Sequence, residues 1–310
     1  MNKKIKVGLI YGGESFEHEV SKMTADSILE NIDQDKFEVT KMYINKDGHL
    51  DEKLLKDIEV AFLAVHGPNC EDGKLQKYLE GSGIKYTGSG VEASALNMDK
   101  IKMHDAFKKA GIPVVEYLGF DKKNGDSEII EKTEREIGYP CFVKANNAGS
   151  SVGVSRASNI HELRQAILEA FKCDDQIIVE EAVKNPREIE VAVLGNDELT
   201  LSDPGEVSSN GQFYSYDAKY FHPFNTEAKA ELLPEQIKTI KEMAEKAYGS
   251  TGCKGYSRID FLIDESGKIY LNEINTLPGF TKTSMFPKLM AGAGITYKDL
   301  ISKIIYLALD

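Results

Sequence analysis

The sequence has no apolar run of the roughly 18 residues that a membrane span requires. The apolar stretch within "MNKKIKVGLIYGG" at the N-terminus is too short for a secretory signal and runs straight into a turn. Internal repeats, low-complexity tracts and long linkers rich in proline, glycine or serine are also missing. We therefore expect a globular cytoplasmic protein with no membrane partner.

Cysteine is scarce, with 4 residues of this type in a chain of 310. The four cysteines are scattered, without a CxxC pair, at Cys70, Cys141, Cys173 and Cys253. This spacing indicates neither a disulfide framework nor a structural zinc site, and reduced thiols fit a cytoplasmic protein.

Positively charged residues are fewer than negatively charged ones, with 38 lysine and arginine residues against 50 aspartate and glutamate residues. The resulting formal charge of −12 argues against a general nucleic-acid surface. A local basic pocket could still hold a phosphorylated ligand, so we expect small-molecule partners and no nucleic acid.

The order of the predicted elements divides the chain into three parts. In residues 1–96, strand-like apolar runs alternate with helices, which is typical of parallel α/β winding. Residues 97–184 form a small α+β unit, and residues 185–310 are rich in strands. We therefore predict a mixed α/β (α+β) protein of three domains with these bounds. The predicted helices cover 17–31, 72–82, 98–110, 127–137, 160–171 and 233–248.

Two strand-like segments, "YSRIDFLI" and "KIYLNEIN", flank the turn signal "DESG" and predict an antiparallel hairpin. Strand alternation puts Arg258 and Asp260 on the face opposite the apolar residues. On the second strand, the same rule puts Leu271, Glu273 and Asn275 on one face. We expect Asp260 to lie within side-chain reach of Glu273.

Two carboxylates and an amide that converge on a hairpin favour a hard divalent cation such as Mg²⁺ or Mn²⁺. The alternative is a solvated face whose acidic side chains pair with Arg258. The hairpin alone does not decide between these interpretations.

The middle part of the chain contains "FVKANNAGSSVGV", in which a strand with Lys144 runs into a loop rich in glycine and serine. Backbone N–H groups and hydroxyls of such loops bind phosphate oxygens, and the lysine can add a positive charge. The loop matches neither a Walker loop nor a dinucleotide fingerprint. Taken alone, such a loop is more often a plain turn, Lys100 a surface lysine and Glu180 a residue that merely flanks a strand.

These segments together resemble the D-alanine–D-alanine ligase family of the ATP-grasp superfamily. The resemblance extends over nearly the whole chain, through "YGGESFEHEVS", "HGPNCEDG", "GSGVEASALNMDK", "VKANNAGSSVGV", "FYSYDAKY", "GYSRIDFLID" and "YLNEINTLPGFTKTSMFPKL". It implies an ATP-grasp fold with ATP between the central and C-terminal domains, two Mg²⁺ ions (or Mn²⁺), and a homodimer. The implied reaction joins two D-alanines through an acyl phosphate, with ATP as co-substrate, for peptidoglycan precursor synthesis.

The resemblance also implies roles for individual residues. The implied ATP-binding residues are Lys100, Lys144, Gly149, Ser150, Ser151, Val152, Glu180, Ala182, Val183, Glu188 and Lys219. The implied metal ligands are Asp260, Glu273 and Asn275. The implied substrate-binding residues are Glu17, His66, Arg258, Gly279 and Ser284, and the implied catalytic residues are Glu17, Ser150, Tyr220, Arg258 and Gly279.

Within that reading, Glu17 binds the ammonium group of the first D-alanine, with His66 nearby. Arg258 and the Gly279 backbone N–H stabilise the oxyanion, and Ser284 holds the second carboxylate. Standing alone, Glu17 would be read as helix-dipole compensation and His66 as a loop histidine. Ser150 and Tyr220 would likewise be read as a lid hydroxyl and an exposed loop aromatic.

The chain departs from the family pattern at Cys70, where glycine is usual, at Ala145 and Asn146, where proline and alanine are usual, and in "FHPFNTEAKAELL".

Two alternative functions remain. One is a related ligase that uses D-serine or another amino acid as acceptor, and the other is a nucleotide-binding regulatory protein without turnover.

Overall fold

The computed structural model describes residues 3–150, 152–208, 225–281 and 283–310. Its helices are α1 (His18–Asn31), α2 (Lys74–Gly81), α3 (Val91–Met98), α4 (Lys100–Lys109), α5 (Asp126–Glu136), α6 (Ile160–Ala170), α7 (Pro234–Ser250), α8 (Met285–Gly292) and α9 (Tyr297–Leu309), with a 3₁₀ helix at Glu52–Asp57. The strands before the last sheet are β1 (Ile5–Gly12), β2 (Phe37–Ile44), β3 (Val60–Leu63), β4 (Lys85–Tyr86), β5 (Tyr117–Asp121), β6 (Cys141–Ala145), β7 (Val154–Ala157) and β8 (Gln176–Glu181). Those of the last sheet are β9 (Arg187–Leu194), β10 (Thr200–Leu201), β11 (Gly205–Ser208), β12 (Asn225–Glu227), β13 (Tyr256–Ile263) and β14 (Ile269–Asn275).

The first sheet has the order β2-β1-β3-β4, and all of its strand pairs are parallel. Of its two central strands, β3 is apolar and buried throughout, and β1 is buried from Val7 to Ile10, as expected for parallel strands covered on both faces. The predicted parallel α/β winding is therefore confirmed.

The second sheet is antiparallel, with the order β5-β8-β6-β7. Helices α5 and α6 cover one face through a cluster that includes Ile129, Leu163 and Ile167. This packing leaves the other face to carry Lys144 and Glu180, because side chains alternate along β6 and β8.

The third sheet has the order β12-β11-β9-β13-β14, with β10 paired to β9. Helices α4 and α7 pack on its apolar face, where Phe107 and Ile240 join Ile259 and Phe261 in one core cluster. The hairpin of β13 and β14 is antiparallel as predicted, and its turn is closed by Asp264, whose side chain accepts the Lys268 N–H at 2.9 Å.

The prediction that Leu271, Glu273 and Asn275 lie on one face of the second strand of this hairpin is wrong. Asp260 pairs with Glu273, but the next residue, Phe261, pairs with Leu271, so Asn272 is an extra residue that forms a β-bulge. At the bulge, the alternation of side chains between the two faces of β14 is shifted by one residue. Leu271 is therefore fully buried beside Phe261 in the core, on the face opposite Glu273.

Helix α9 packs on β3 and β4 of the first sheet, whereas α8 lies against β9 and β11 of the third sheet. Both helices belong to the core cluster of the first sheet, which extends to these strands. Neither helix was predicted, nor was α3, although the predicted helix 98–110 corresponds to α4. The domain bounds 1–96, 97–184 and 185–310 stay predictions. Within the described residues, no helix is both long and apolar enough to span a bilayer.

Candidate active site

The hairpin brings the predicted metal ligands together. Asp260 lies directly opposite Glu273, and the Asn275 amide nitrogen donates to Asp260 Oδ2 at 3.0 Å and to Glu273 Oε1 at 3.4 Å. Both carboxylates thus reach one common point, which the amide occupies. Their oxygens suit a hard divalent cation, and a rotation of the Asn275 amide would present its oxygen to the same point.

Arg258 lies beside this group and forms a two-pronged ion pair. Its Nε and Nη2 atoms donate to the two Asp260 oxygens at 2.8 and 2.7 Å, and Nε lies 3.1 Å from Glu190 Oε2. Burial alone would lower the pKa of Arg258, but the charges of Asp260 and Glu190 raise it well above its usual value. The acid–arginine pairing considered from the sequence is therefore present at Asp260. Glu273 lies on the other strand, next to that pair.

No group of three or more His, Cys, Asp or Glu side chains in the described parts of the chain is arranged to hold a metal ion. The set at the hairpin contains two carboxylates and one amide, so its fit to a cation rests on oxygen-donor chemistry and on the shared point between the carboxylates.

A buried ion pair lies on the second sheet. Lys144 Nζ is 2.5 Å from Glu180 Oε2, and His104 Nε2 is 3.8 Å from Glu180 Oε1. Burial raises the pKa of Glu180, but the charge of Lys144 outweighs that effect and lowers it. Burial also lowers the pKa of His104, which favours the neutral imidazole, so Lys144 is the cation that stabilises the carboxylate. Beyond this strand, Ala182 and Val183 follow directly, with the Ala182 N–H bonded to Pro140 O at 3.2 Å.

Sequence reasoning missed His104. It is buried on α4, one turn after Lys100, and its Nε2 atom lies 3.2 Å from the carbonyl of the bulge residue Asn272. Because a carbonyl only accepts, Nε2 is the donor of this bond. The i, i+4 spacing from Lys100 was the one signal in the sequence that pointed to it. Glu188, on β9, lies on the same face of the third sheet as Glu190.

The loop predicted to bind phosphates follows β6. Ser150 has a left-handed backbone with φ of 50°, an unusual conformation for a residue with a side chain, and it donates a hydrogen bond to Glu17 Oε1. The Val152 N–H bonds to Gly149 O at 3.0 Å and tightens the loop. Lys100 Nζ donates to the Ala148 carbonyl at the start of the loop.

Glu17 is buried at the start of α1 and makes no capping bond through its side chain, so simple dipole compensation in solvent does not describe it. It lies close to a second acid, Glu71, that sequence reasoning did not single out. A Cβ atom placed on Gly149 would be 3.8 Å from Glu17 Oε2 and 3.9 Å from Glu71 Oε2. Both carboxylates therefore face the loop.

His66 joins this acidic group. Its Nδ1 atom lies 3.4 Å from Glu71 Oε1 and its Nε2 atom 3.2 Å from Thr24 Oγ1. Burial opposes protonation of the imidazole, but the hydrogen bond to Glu71 and the charge of Glu17 raise the pKa of His66. Burial also raises the pKa of Glu71, and the charge of Glu17 adds to that effect.

The two remaining substrate residues lie together near the end of the third sheet. Ser284 Oγ accepts the Thr281 N–H at 3.0 Å, and a Cβ atom on Gly279 would approach Ser284 Oγ to 3.0 Å. Cys70 is buried near Gly13. Its burial, and to a smaller extent the charges of nearby carboxylates, raise its pKa to about 12, which favours the protonated thiol over the nucleophilic thiolate. The predicted residues Ser151, Lys219 and Tyr220 lie outside the described residues.

Comparisons of sequence bear on the identity of this site. The model of the family described as D-ala D-ala ligase C-terminus matches residues 106–306, and that of D-ala D-ala ligase N-terminus matches residues 6–55 and 49–89. The D-alanine–D-alanine ligase of Acetivibrio thermocellus is 40% identical over 100% of this chain and 97% of its own length. The enzyme of that name from Geobacillus kaustophilus is 41% identical over 99% of this chain and 95% of its own.

Solved structures show the same relationship. The D-alanyl-alanine synthetase A of Vibrio cholerae has a TM-score of 0.90 and 33% identity, covering 100% of both chains. The VanG D-Ala:D-Ser ligase of Enterococcus faecalis has a TM-score of 0.89 and 33% identity, covering 99% of this chain and 100% of its own. The predicted ATP-grasp fold class is thereby confirmed. The chain belongs to the D-alanine–D-alanine ligase family.

Proposed function

We propose that the protein joins two D-alanine molecules into D-alanyl-D-alanine at the expense of ATP, releasing ADP and phosphate. The observation that carries this proposal is the hydrogen bond from Ser150 to Glu17. It links the loop suited to phosphates with the acidic pocket suited to an ammonium group, so both substrates would meet at one place. The family membership supports the same activity.

At the nucleotide end, Lys100 and Lys144 would bind the phosphates, and the loop from Gly149 would cover them. Asp260, Glu273 and Asn275 would hold Mg²⁺, which supplies charge neutralisation when bound. Lys144 would exchange part of its contact with Glu180 for phosphate oxygens. Glu188, Ala182 and Val183 would contact the nucleoside, and Ser151 and Lys219 the phosphates.

In the first step, the carboxylate of one D-alanine would attack the γ-phosphorus, forming an acyl phosphate and releasing ADP. Glu17 would orient this molecule by its ammonium group, with Glu71 adding negative charge nearby. Closure of the loop matters because water would hydrolyse the acyl phosphate.

In the second step, the amine of another D-alanine would attack the acyl carbon, and phosphate would leave. Asp260 takes only part of the donor capacity of Arg258, so further N–H groups remain for the oxyanion. The Gly279 N–H would be the second donor, and the adjacent Ser284 would bind the acceptor carboxylate. Tyr220 would complete the group around Ser150.

Mass spectrometry of the products formed from ATP, Mg²⁺ and a mixture of D-alanine, D-serine and D-lactate tests this proposal. D-alanyl-D-alanine as main product is expected. A dominant D-alanyl-D-serine product would favour the activity named for the Enterococcus faecalis structure, which is 33% identical. Nucleotide binding without amino-acid-dependent ATP consumption would favour a regulatory protein instead. That the protein is a homodimer and that it is located in the cytoplasm stay predictions. Light scattering would test the first of them.

A further inference from the structure

Asn146 follows β6 directly and bonds to the start of α4, so it is adjacent to the two elements that carry the lysines proposed to bind phosphates. It is fully buried, although an amide side chain is costly to bury unless its polar atoms are paired. Its Oδ1 atom accepts the Ile101 N–H at 2.9 Å, and its Nδ2 atom donates to Asp99 Oδ1 at 2.9 Å. The Nδ2 atom also donates to Gln176 Oε1 on β8 at 3.5 Å. The amide is thus paired on both sides, and two of its three partners belong to the start of α4.

The backbone of Asn146 adds a third bond to the same helix end, because its carbonyl accepts the Lys100 N–H at 3.2 Å. Asn146 therefore bonds to Lys100 and to both of its neighbours in sequence. The first N–H groups of a helix lack partners within the helix, and here Asn146 provides two of the acceptors. Asp99 completes the arrangement as the N-cap, since its Oδ1 atom also accepts the Lys102 N–H at 3.1 Å.

Lys144, on β6, precedes Asn146 by two residues, and Ala148, whose carbonyl accepts from Lys100 Nζ, follows it by two. The position of Asn146 consequently fixes the start of α4 relative to both β6 and the phosphate loop. A lysine has a flexible four-carbon stem, so the place of its ammonium group depends on where its backbone is held.

We propose that Asn146 is a positioning residue for nucleotide binding, which holds Lys100 at a set distance from Lys144 and from the loop that begins at Gly149. This inference rests on the proposed function, in which both lysines bind ATP phosphates. Asn146 itself touches no phosphate in this proposal. Its effect is transmitted by the first turn of α4.

A double-mutant cycle tests the proposal, with Asn146→Ala and Lys100→Met made singly and together in the full-length protein. The dissociation constant of ATP with Mg²⁺ and the KM of D-alanine are measured for each. We expect Asn146→Ala to weaken ATP binding about tenfold, with little change in the KM of D-alanine. In the Lys100→Met background, the same substitution should weaken ATP binding by less than about twofold, because its effect acts through Lys100.

Asn97→Ala is the matched control. Asn97 is also a buried asparagine, but its amide nitrogen bonds to Ala93 O and Cys253 Sγ and not to the start of α4. Its substitution should leave the ATP dissociation constant unchanged. Thermal melting identifies any loss of folding, and if Asn146→Ala does not fold, Asn146→Ser, which keeps a hydroxyl at the site, replaces it.

The outcomes separate the inference from the function on which it rests. If Lys100→Met weakens ATP binding and Asn146→Ala does not, or if the two effects simply add, the positioning role is overturned and the phosphate role of Lys100 stands. If Lys100→Met leaves ATP binding unchanged, the phosphate role of Lys100 is overturned and the positioning role with it.

Discussion

The two ends of the site differ in how their charges are balanced. At the nucleotide end, the buried acids have cationic partners, since Glu180 contacts Lys144 and Glu190 contacts Arg258. At the amino-acid end, Glu17 and Glu71 lie close together, and their charges act on each other and on His66.

This difference matches the proposed substrates. A cationic side chain that is paired with an acid is not an unpaired buried charge in the apo protein. When the nucleotide binds, the cation can exchange this partner for phosphate oxygens. A surplus of negative charge suits an amino acid that arrives with an ammonium group. The electrostatics therefore support the proposed assignment of ATP to one end and of D-alanine to the other.

The largest effect should come from the hairpin. Glu273→Gln keeps the shape of the side chain and removes one charge next to Asp260, so the fold should persist while ligation falls below about one hundredth of wild type. Steady-state rates over a range of Mg²⁺ concentrations check this. Glu265→Gln, at the exposed turn of the same hairpin, is the control and should behave as wild type. Wild-type activity of the Glu273 variant at limiting Mg²⁺ would exclude the metal role.

Arg258→Lys should have the next largest effect. Lysine keeps the charge but cannot both pair with Asp260 through two atoms and reach an oxyanion, so turnover should fall on the order of 10²-fold. Arg187→Lys is the matched control, because Arg187 makes the same two-pronged pair with Glu206 on the same sheet. A change in ATP affinity with turnover preserved would place Arg258 at the nucleotide instead.

The hairpin also shows what sequence could and could not predict. Strand alternation and a turn signal sufficed to predict that Asp260 faces Glu273, because both depend on local residues. The bulge at Asn272 was not predictable in this way. Its carbonyl is bonded to His104, a residue 168 positions away in sequence, so the alternation of β14 depends on a tertiary contact.

The same limit applies to the amino-acid end. Glu17 and His66 entered as candidates through the family resemblance, and the structure brings them together with Ser150. Glu71 was missed, because a glutamate in a polar loop carries no signal of its own until the fold places it beside Glu17. Helices α8 and α9 were missed as well, although their buried faces belong to the core cluster that joins the first sheet to the third.

Glu71→Gln tests the surplus charge at the amino-acid end. If Glu71 helps to attract an ammonium group, removal of its charge should raise the KM of D-alanine about tenfold and leave the affinity for ATP unchanged. Glu14→Gln is the control, because Glu14 is an exposed acid that contacts Asn69 in the same part of the fold. An unchanged KM for D-alanine, or an equal loss of ATP affinity, would mean that the two ends are not distinguished by charge in this way.

The smallest expected effect concerns the stability of the amino-acid end. The hydrogen bond to Glu71 and the charge of Glu17 overcome burial and raise the pKa of His66 in the folded protein above its unfolded value of about 6.5. Protonated His66 therefore contributes stability that is fully present below about pH 6.5 and is lost as pH rises through the higher folded pKa.

Urea unfolding of wild type and of His66→Gln at a series of pH values, from about pH 6 to about pH 9, measures this contribution. The variant should be less stable by about 1–2 kcal/mol at the acidic end, where the charged imidazole bonds to Glu71, and the gap should shrink as pH rises. His49→Gln, at an exposed histidine, is the control for the substitution itself. A gap for His66→Gln that stays constant or widens with pH would mean that His66 is neutral in the folded protein. The charges of Glu17 and Glu71 would then have no imidazolium beside them to offset them.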